Sequence, residues 1–140
     1  MSNSTSQATM IRDWMTPTPH SIGRDQSLAL AHEMMNKHKL RHLPVLELGK
    51  LVGILSQRDL LFLEAGDRLD LSVERVEDAM TQEVFAVPPN ALLSDVVAEM
   101  LEHKYGSAVV VDGRDVAGIF TTMDALLLLE ARLRTSERVD

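Results

Sequence analysis

Cysteine is absent from the 140 residues, and aromatic residues are few, with one Trp, one Tyr and three Phe. Without thiolates the chain can form no disulfide, no cysteine-ligated metal site and no cysteine nucleophile. The longest apolar run, residues 125–129, is far below the ~20 residues that a membrane-spanning helix needs. The N-terminus lacks the basic start and apolar stretch of a secretory signal, which predicts a cytoplasmic protein.

The overall composition is that of a folded protein. Hydrophobic residues make up 45% and charged residues 25% of the chain, a balance that disordered tails do not have. The net charge of -7 opposes attraction to a phosphate backbone or an anionic membrane surface. We therefore expect neither a nucleic acid nor a membrane as partner, whereas a small anionic ligand stays compatible with a local positive field.

A constant offset of 65 residues relates the two halves of the chain. Asp13-Trp14-Met15-Thr16 recurs as Asp78-Ala79-Met80-Thr81, and Gly53-Ile54 recurs as Gly118-Ile119, with no gap between these matches. A register held over such a length predicts an internal structural repeat. The predicted regions are a flexible tail at 1–9, a first repeat at 10–63, a polar linker at 64–74, a second repeat at 75–129, and a C-terminal helix end and tail at 130–140.

Within each repeat the hydrophobic period changes from helical to extended and back. Stripes that begin at Leu28 and Leu93 predict amphipathic helices, with Asp25 and Asn90 as their N-caps. A hairpin and a second helix follow, and a short strand precedes, which gives β-α-β-β-α twice and an α+β fold. One such unit buries little apolar surface, and we expect the two to pack about a pseudo-twofold axis. The predicted elements are strands 21–22, 43–46, 51–55, 85–87, 108–111 and 116–120, and second helices 57–65 and 122–133.

The second hairpin strand of each repeat ends in a shared pattern: Gly, two apolar residues, a hydroxyl, two variable residues and Asp. It runs from Gly53 to Asp59 and from Gly118 to Asp124. A hydroxyl followed three residues later by an acid is typical of a helix capping box. The same junction offers backbone N–H groups for a phosphate and a carboxylate for the hydroxyls of a ribose, and the Gly permits close approach of another backbone or a flat ring. Both readings stay open.

The segment from Lys39 to Val45, followed by a short turn and Gly53 to Asp59, resembles a cystathionine-beta-synthase (CBS) motif. Its echo in the second repeat resembles the other member of a CBS pair, or Bateman module. The resemblance covers residues 10–129, and the chain is similar to stand-alone bacterial CBS-pair proteins. It implies a regulatory module rather than an enzyme, which needs no cofactor, binds AMP, ADP, ATP or S-adenosylmethionine, and acts through a partner protein.

The resemblance also implies two ligand clefts. Each cleft would join the Gly-to-Asp segment of one repeat to the helix-to-strand segment of the other, which is the stretch around Arg41 in the first repeat and around Gly106 in the second. Cleft A would comprise Thr16, Leu40, Arg41, His42, Pro44, Thr121 and Asp124. Cleft B would comprise Thr81, Tyr105, Gly106, Ser107, Ser56, Arg58 and Asp59. The second repeat departs from the family pattern, with Val109 in place of Pro44 and Gly106-Ser107 in place of Arg41-His42. Phosphate is therefore expected to prefer cleft A, and Asp124→Ala to weaken nucleotide binding more than Asp59→Ala.

Other classes of function find little support in the residues. No nucleophile elbow, P-loop or dinucleotide Gly fingerprint occurs, which argues against an enzyme. No metal site is expected, because His32-Glu33 is followed by Asn36 where a zinc-protease helix has His. Apolar residues 60–63 and 125–129 predict a homodimer of CBS pairs. The alternative function is a structural dimerisation module without a nucleotide ligand.

Overall fold

The computed structural model describes residues 9–17, 20–64 and 72–137. The predicted tail before Thr9, residues 65–71 of the predicted linker and the last three residues lie outside this part of the chain. The chain divides into two compact units. The first-repeat unit is Pro19–Val84, and the second-repeat unit combines Met1–Thr18 with Phe85–Asp140. Each unit therefore contains most of one repeat together with the leading segment of the other, which is 9–17 for the first repeat and 74–84 for the second.

The described elements confirm the mixed α+β class and the β-α-β-β-α order of each repeat. In chain order they are β1 (Thr16–Pro17), β2 (Ile22–Gly23), α1 (Leu28–His38), β3 (His42–Glu47), β4 (Lys50–Ser56), α2 (Gln57–Glu64), α3 (Val76–Ala79), β5 (Ala86–Val87), α4 (Leu93–His103), β6 (Ser107–Asp112), β7 (Asp115–Thr121) and α5 (Thr122–Glu137). The helix α5 continues four residues past its predicted end. No described helix combines the length and the apolar character needed to cross a membrane.

Each unit is built on one small sheet. The first-repeat unit has the strand order β2-β3-β4, and the second-repeat unit has the order β1-β7-β6-β5. In both, the short first strand of the repeat runs parallel to the next strand, which forms an antiparallel hairpin with the last one. The predicted hairpins are confirmed, with turns at Leu48-Gly49 and Gly113-Arg114.

The two hydrophobic cores repeat each other at the offset seen in the sequence. Buried residues on α1 and α4 face the sheet at helical spacing, as predicted from the stripes, and the hairpin strands supply the opposite wall. The core of the first-repeat unit is Ile22, Leu28, Ala31, Met35, Leu43, Val45, Leu55, Leu60 and Val76. The core of the second-repeat unit is Ile11, Leu93, Val96, Met100, Ala108, Val110 and Phe120.

The leading segments contain short elements that the periodicity did not predict. Ile11–Asp13 forms a 3-10 turn and Val76–Ala79 forms α3. In the first, the carboxylate of Asp13 accepts the N–H of Met10 at 3.2 Å. In the second, the carboxylate of Asp78 accepts the N–H of Arg75 at 3.1 Å. The repeated Asp of the Asp-X-Met-Thr pattern therefore closes the first turn of each short helix.

The predicted N-caps Asp25 and Asn90 are wrong. The N-cap of α1 is Ser27, whose hydroxyl accepts the Leu30 N–H at 3.1 Å, and the N-cap of α4 is Leu92, whose side chain makes no capping bond. The leading segments supply backbone partners instead. The Leu28 N–H donates to Glu74 O and the Leu93 N–H donates to Thr9 O, both at 2.9 Å. Backbone pairing satisfies these N–H groups.

Candidate ligand-binding site

The glycine of each Gly-to-Asp segment allows a leading segment to lie against the strand. A Cβ added at Gly118 would lie 2.7 Å from the carbonyl oxygen of Thr16 and 2.7 Å from the Met15 Sδ. A Cβ added at Gly53 would lie 2.5 Å from the Met80 Sδ and 3.0 Å from the Thr81 carbonyl oxygen. Of the two possibilities left open by the sequence, close approach of another backbone is therefore present in both units.

These approaches are backbone pairings. In the second-repeat unit β1 pairs antiparallel with β7, with Thr16 opposite Ile119. In the first-repeat unit Thr81 and Ile54 exchange two hydrogen bonds, Ile54 N to Thr81 O at 3.0 Å and Thr81 N to Ile54 O at 2.9 Å. The threonine of each leading segment thus lies next to the strand that leads into the hydroxyl and the Asp of the motif.

The Asp124 carboxylate is buried, with 8% of the residue exposed, and both of its oxygens are engaged. Oδ2 accepts the Thr121 N–H at 2.8 Å and the Thr121 hydroxyl at 3.2 Å. Oδ1 accepts the Thr16 hydroxyl at 3.0 Å. The Asp124 N–H donates back to Thr121 Oγ1 at 3.3 Å, which completes the predicted capping box of α5. The motif residues Thr16, Thr121 and Asp124 of predicted cleft A therefore lie together.

The corresponding carboxylate of the first repeat, Asp59, has fewer partners. Its Oδ2 accepts the Ser56 N–H at 3.1 Å, and its own N–H donates to Ser56 Oγ at 3.0 Å, which confirms the second capping box. Within the described residues, Oδ1 of Asp59 accepts no hydrogen bond. Asp59 is half-buried and Thr81 is exposed, and the two side chains make no hydrogen bond in the described part of the chain.

The helix-to-strand segment of each repeat lies beside the Gly-to-Asp segment of the same repeat. The Arg41 carbonyl oxygen accepts the Gln57 N–H at 2.8 Å, and the Gly106 carbonyl oxygen accepts the Thr122 N–H at 3.2 Å. His42 faces Ser56 across the ladder, as Ser107 faces Thr121. Clefts A and B instead pair these segments across the two repeats, and that pairing stays a prediction.

The remaining predicted site residues differ in how much side chain they present. Arg41 and Arg58 are exposed and His42 is half-buried. Pro44 is fully buried, and Leu40 packs against the core of the first-repeat unit. Tyr105 stacks between Phe85 and His103, with ring centroids 5.1 Å apart in each pair. The side chains of Pro44, Leu40 and Tyr105 therefore support the backbone of these segments.

Two charged groups of the first-repeat unit have shifted pKa values. The Arg24 guanidinium donates to Glu77 at 2.8 Å and to Glu47 at 3.2 Å, and these carboxylates raise its pKa. This cluster ties α3 to the end of β3. His38 stacks on His20 with ring centroids 3.8 Å apart. Desolvation, followed by the charges of His20 and Lys37, lowers the pKa of His38.

Two further features lie apart from the motif. Glu99, Glu102 and His103 bring ligand atoms within 4.8 Å of one another on the exposed face of α4. An open apolar groove of about 530 Å³ runs between α4 and α5. It is lined by Thr9, Leu93, Ser94, Val97, Ala98, Leu101, Leu128 and Arg132. None of the predicted site residues belongs to either feature.

The fold and the repeated motif agree with a family comparison. The CBS domain family matches residues 11–66 and 76–131, and the chain belongs to the CBS domain family as a pair of CBS motifs. It is 27% identical over 114 residues to the CBS domain-containing protein YhcV of Bacillus subtilis, and the match covers 81% of each chain. The chain is also 30% identical over 116 residues to inosine-5'-monophosphate dehydrogenase of Staphylococcus haemolyticus. That match covers 80% of this chain and only 22% of the enzyme.

Solved structures share the architecture. A Vibrio cholerae protein described as an acetoin utilization protein (AcuB) superposes with a TM-score of 0.75 at 30% identity, covering 96% of this chain and 99% of that one. The CBS domain pair of protein MJ0100, in complex with 5'-methylthioadenosine and S-adenosyl-L-methionine, gives a TM-score of 0.76 at 26% identity, covering 90% and 99%. CBSX2 in complex with AMP superposes with a TM-score of 0.72 at 26% identity, covering 87% of this chain and 97% of that one.

Proposed function

We propose that this protein is a regulatory module that binds an adenosine-containing ligand, namely AMP, ADP, ATP or S-adenosylmethionine, and acts through a partner protein. The observation that carries the proposal is the repeated junction of Ser56 with Asp59 and of Thr121 with Asp124. Each junction places a carboxylate and a hydroxyl at the start of a helix. CBS pairs of the same fold are bound to AMP and to S-adenosyl-L-methionine. The proposal includes no catalytic role.

In this proposal the two carboxylates accept ribose hydroxyls, because an ionised carboxylate offers four lone-pair positions to hydroxyl donors. The helix N-termini and nearby basic side chains face the phosphate. Arg41 suits this role, because its exposed guanidinium can hold a phosphate through two parallel charge-assisted bonds.

Calorimetric titration of the purified chain with AMP, ADP, ATP and S-adenosylmethionine tests the binding proposal. A ligand that binds the folded state alone also raises the unfolding temperature, and at one hundred times its Kd it stabilises by about 2.7 kcal/mol. The expected result is saturable heat and a thermal shift with at least one of the four ligands. Absence of both at millimolar concentration would favour the structural alternative.

The structural alternative rests on the apolar side chains exposed on the second helices. Leu61 is 56% and Phe62 is 80% exposed on α2. The exposed leucines of α5 are Leu126, Leu127, Leu129 and Leu133. Exposed apolar surface of this kind is typical of an interface. Of the residues expected from the sequence, Leu60 is an exception, because it belongs to the buried core.

We propose that these helices form the homodimer interface. Light scattering at micromolar concentration is expected to give the mass of a dimer. Phe62→Asp and Leu129→Asp are expected to shift the mass toward a monomer, because each would place a charge in an apolar interface. Leu101→Asp is the matched control, since Leu101 is 75% exposed on α4 and lies outside the proposed surface. A monomeric wild-type chain would contradict the dimer and leave the binding proposal unaffected.

A further inference from the structure

The two motif carboxylates differ in the acceptor positions that they leave for a ligand. A carboxylate offers about four lone-pair positions. The Asp124 carboxylate accepts three hydrogen bonds among the described residues, from the Thr16 hydroxyl, the Thr121 N–H and the Thr121 hydroxyl. Within the described part of the chain, the Asp59 carboxylate accepts one, from the Ser56 N–H. A ribose presents two neighbouring hydroxyls, so Asp59 can accept both without losing a bond, whereas Asp124 cannot.

One of the two additional bonds of Asp124 comes from the Thr121 hydroxyl, and the other comes from a side chain of the leading segment, Thr16. Thr16 and Thr81 occupy equivalent positions in the repeat, and both pair with the strand that leads into the motif. Only the Thr16 hydroxyl donates to its motif carboxylate in the described structure. If the Thr16 hydroxyl turns away from Oδ1, Asp124 gains a second acceptor position and can bind a hydroxyl pair.

The basic residues of the helix-to-strand segments reinforce this difference. Arg41 and His42 lie beside Ser56 and Gln57, since the Arg41 carbonyl oxygen accepts the Gln57 N–H and His42 faces Ser56. The equivalent positions beside Thr121 are Gly106 and Ser107, which carry no positive charge. The first repeat thus combines the less engaged carboxylate with a basic residue, Arg41, whose backbone is bonded to the start of α2.

We infer that the ribose and phosphate of the ligand bind first at the Asp59 motif, and that Thr16 is a positioning residue which weakens ribose binding at Asp124. The inference rests on the proposed function, since it concerns which of the two motifs fills first. It opposes the sequence-based expectation that phosphate prefers the Asp124 site.

The order of filling can be measured on the wild-type chain without any substitution. In nitrogen-15 NMR titrations with adenosine and with AMP, the backbone amides of Ser56 and Asp59 are expected to shift at lower ligand concentration than those of Thr121 and Asp124. A difference of about fivefold is expected, the factor that one net hydrogen bond contributes. Equal or reversed order would overturn the inference and leave the proposed function standing. If neither pair of amides shifts up to millimolar adenosine, AMP, ADP, ATP and S-adenosylmethionine, the proposed function fails as well.

Substitution of Thr16 tests the mechanism directly. Thr16→Val keeps the shape of the side chain and removes the hydroxyl, and it is expected to lower the concentration at which Thr121 and Asp124 shift by about fivefold. Thr16→Ser keeps a donor and is expected to retain the wild-type order. Thr135→Val is the control, because Thr135 is exposed on α5 and donates to the Ala131 carbonyl oxygen. Unchanged or weaker binding at Asp124 in Thr16→Val would contradict the role given to Thr16.

Discussion

The close contact at Gly118 gives the sharpest test of how the leading segment joins the second-repeat unit. In Gly118→Ala the new methyl group would lie 2.7 Å from the Thr16 carbonyl oxygen and 2.7 Å from the Met15 Sδ. The sulfur belongs to a flexible side chain and can move. The carbonyl oxygen belongs to backbone that pairs with β7, so relief requires β1 to separate from that strand.

Overpacking of this kind costs about 1 to 3 kcal/mol, and we expect Gly118→Ala to reach the upper part of that range. For a chain of this size each kcal/mol lowers Tm by about 3 to 5 °C, which thermal unfolding followed by circular dichroism can measure. Gly106→Ala is the matched control, because an added Cβ there meets nothing within 4 Å. A Gly118→Ala variant that melts with the wild type and with Gly106→Ala would refute the close pairing.

The remaining predictions concern the first-repeat unit. Leu48 is 99% exposed and adopts φ 51°, a left-handed conformation that costs a leucine about 1 kcal/mol. Leu48→Asn is therefore expected to raise the free energy of unfolding, measured by urea titration, by about 0.5 to 1 kcal/mol. An unchanged midpoint would contradict this reasoning. The pKa of folded His38 lies below its ordinary value of 6.5, so the unfolded chain binds this proton more readily. The stabilising contribution of neutral His38 is therefore complete above pH 6.5 and is lost as the pH falls through the folded pKa. Between pH 7.5 and 5.5 the Tm of the wild type is expected to fall more than that of His38→Gln, and parallel curves would count against the shift.

The repeat and the order of elements could be predicted because they rest on local patterns. The offset that relates Leu28 to Leu93 and Gly53 to Gly118 also relates the buried positions of the two cores. Helical stripes and hairpin turns are read from neighbouring residues, and the structure confirms them with ends displaced by a few residues. The hydroxyl-to-Asp spacing likewise predicted both capping boxes.

The placement of the leading segments could not be predicted in this way. Each segment has only a few residues and no hydrophobic period, and its partners lie in the other repeat. The prediction of Asp25 and Asn90 as N-caps failed for this reason. The first N–H groups of α1 and α4 are paired with the backbone carbonyls of Glu74 and Thr9. In α1 the next N–H group is capped by the Ser27 hydroxyl. The repeated Asp-X-Met-Thr pattern was the available signal, but it did not reveal where the segment packs.

The inequality of the two carboxylates is also a tertiary property. In the sequence Asp59 and Asp124 have equivalent surroundings, and each follows a hydroxyl by three positions. One of the bonds that distinguish them joins Thr16 to Asp124, which are 108 residues apart. In the sequence the two sites therefore differ mainly in their expected basic neighbours, whereas the structure adds the number of acceptor positions that each carboxylate leaves.

Calorimetric titration with AMP tests whether the two motif carboxylates bind the ligand. It is carried out on the wild type and on an Asp59→Asn, Asp124→Asn double variant that remains folded. Each substitution replaces one carboxylate oxygen by an amide donor while preserving the size of the side chain. We expect saturable heat for the wild-type chain and at least a tenfold loss of affinity in the double variant, the factor that corresponds to about 1.4 kcal/mol. Equal AMP affinity of the two proteins would contradict this expectation, because the motif carboxylates would then act only as helix caps.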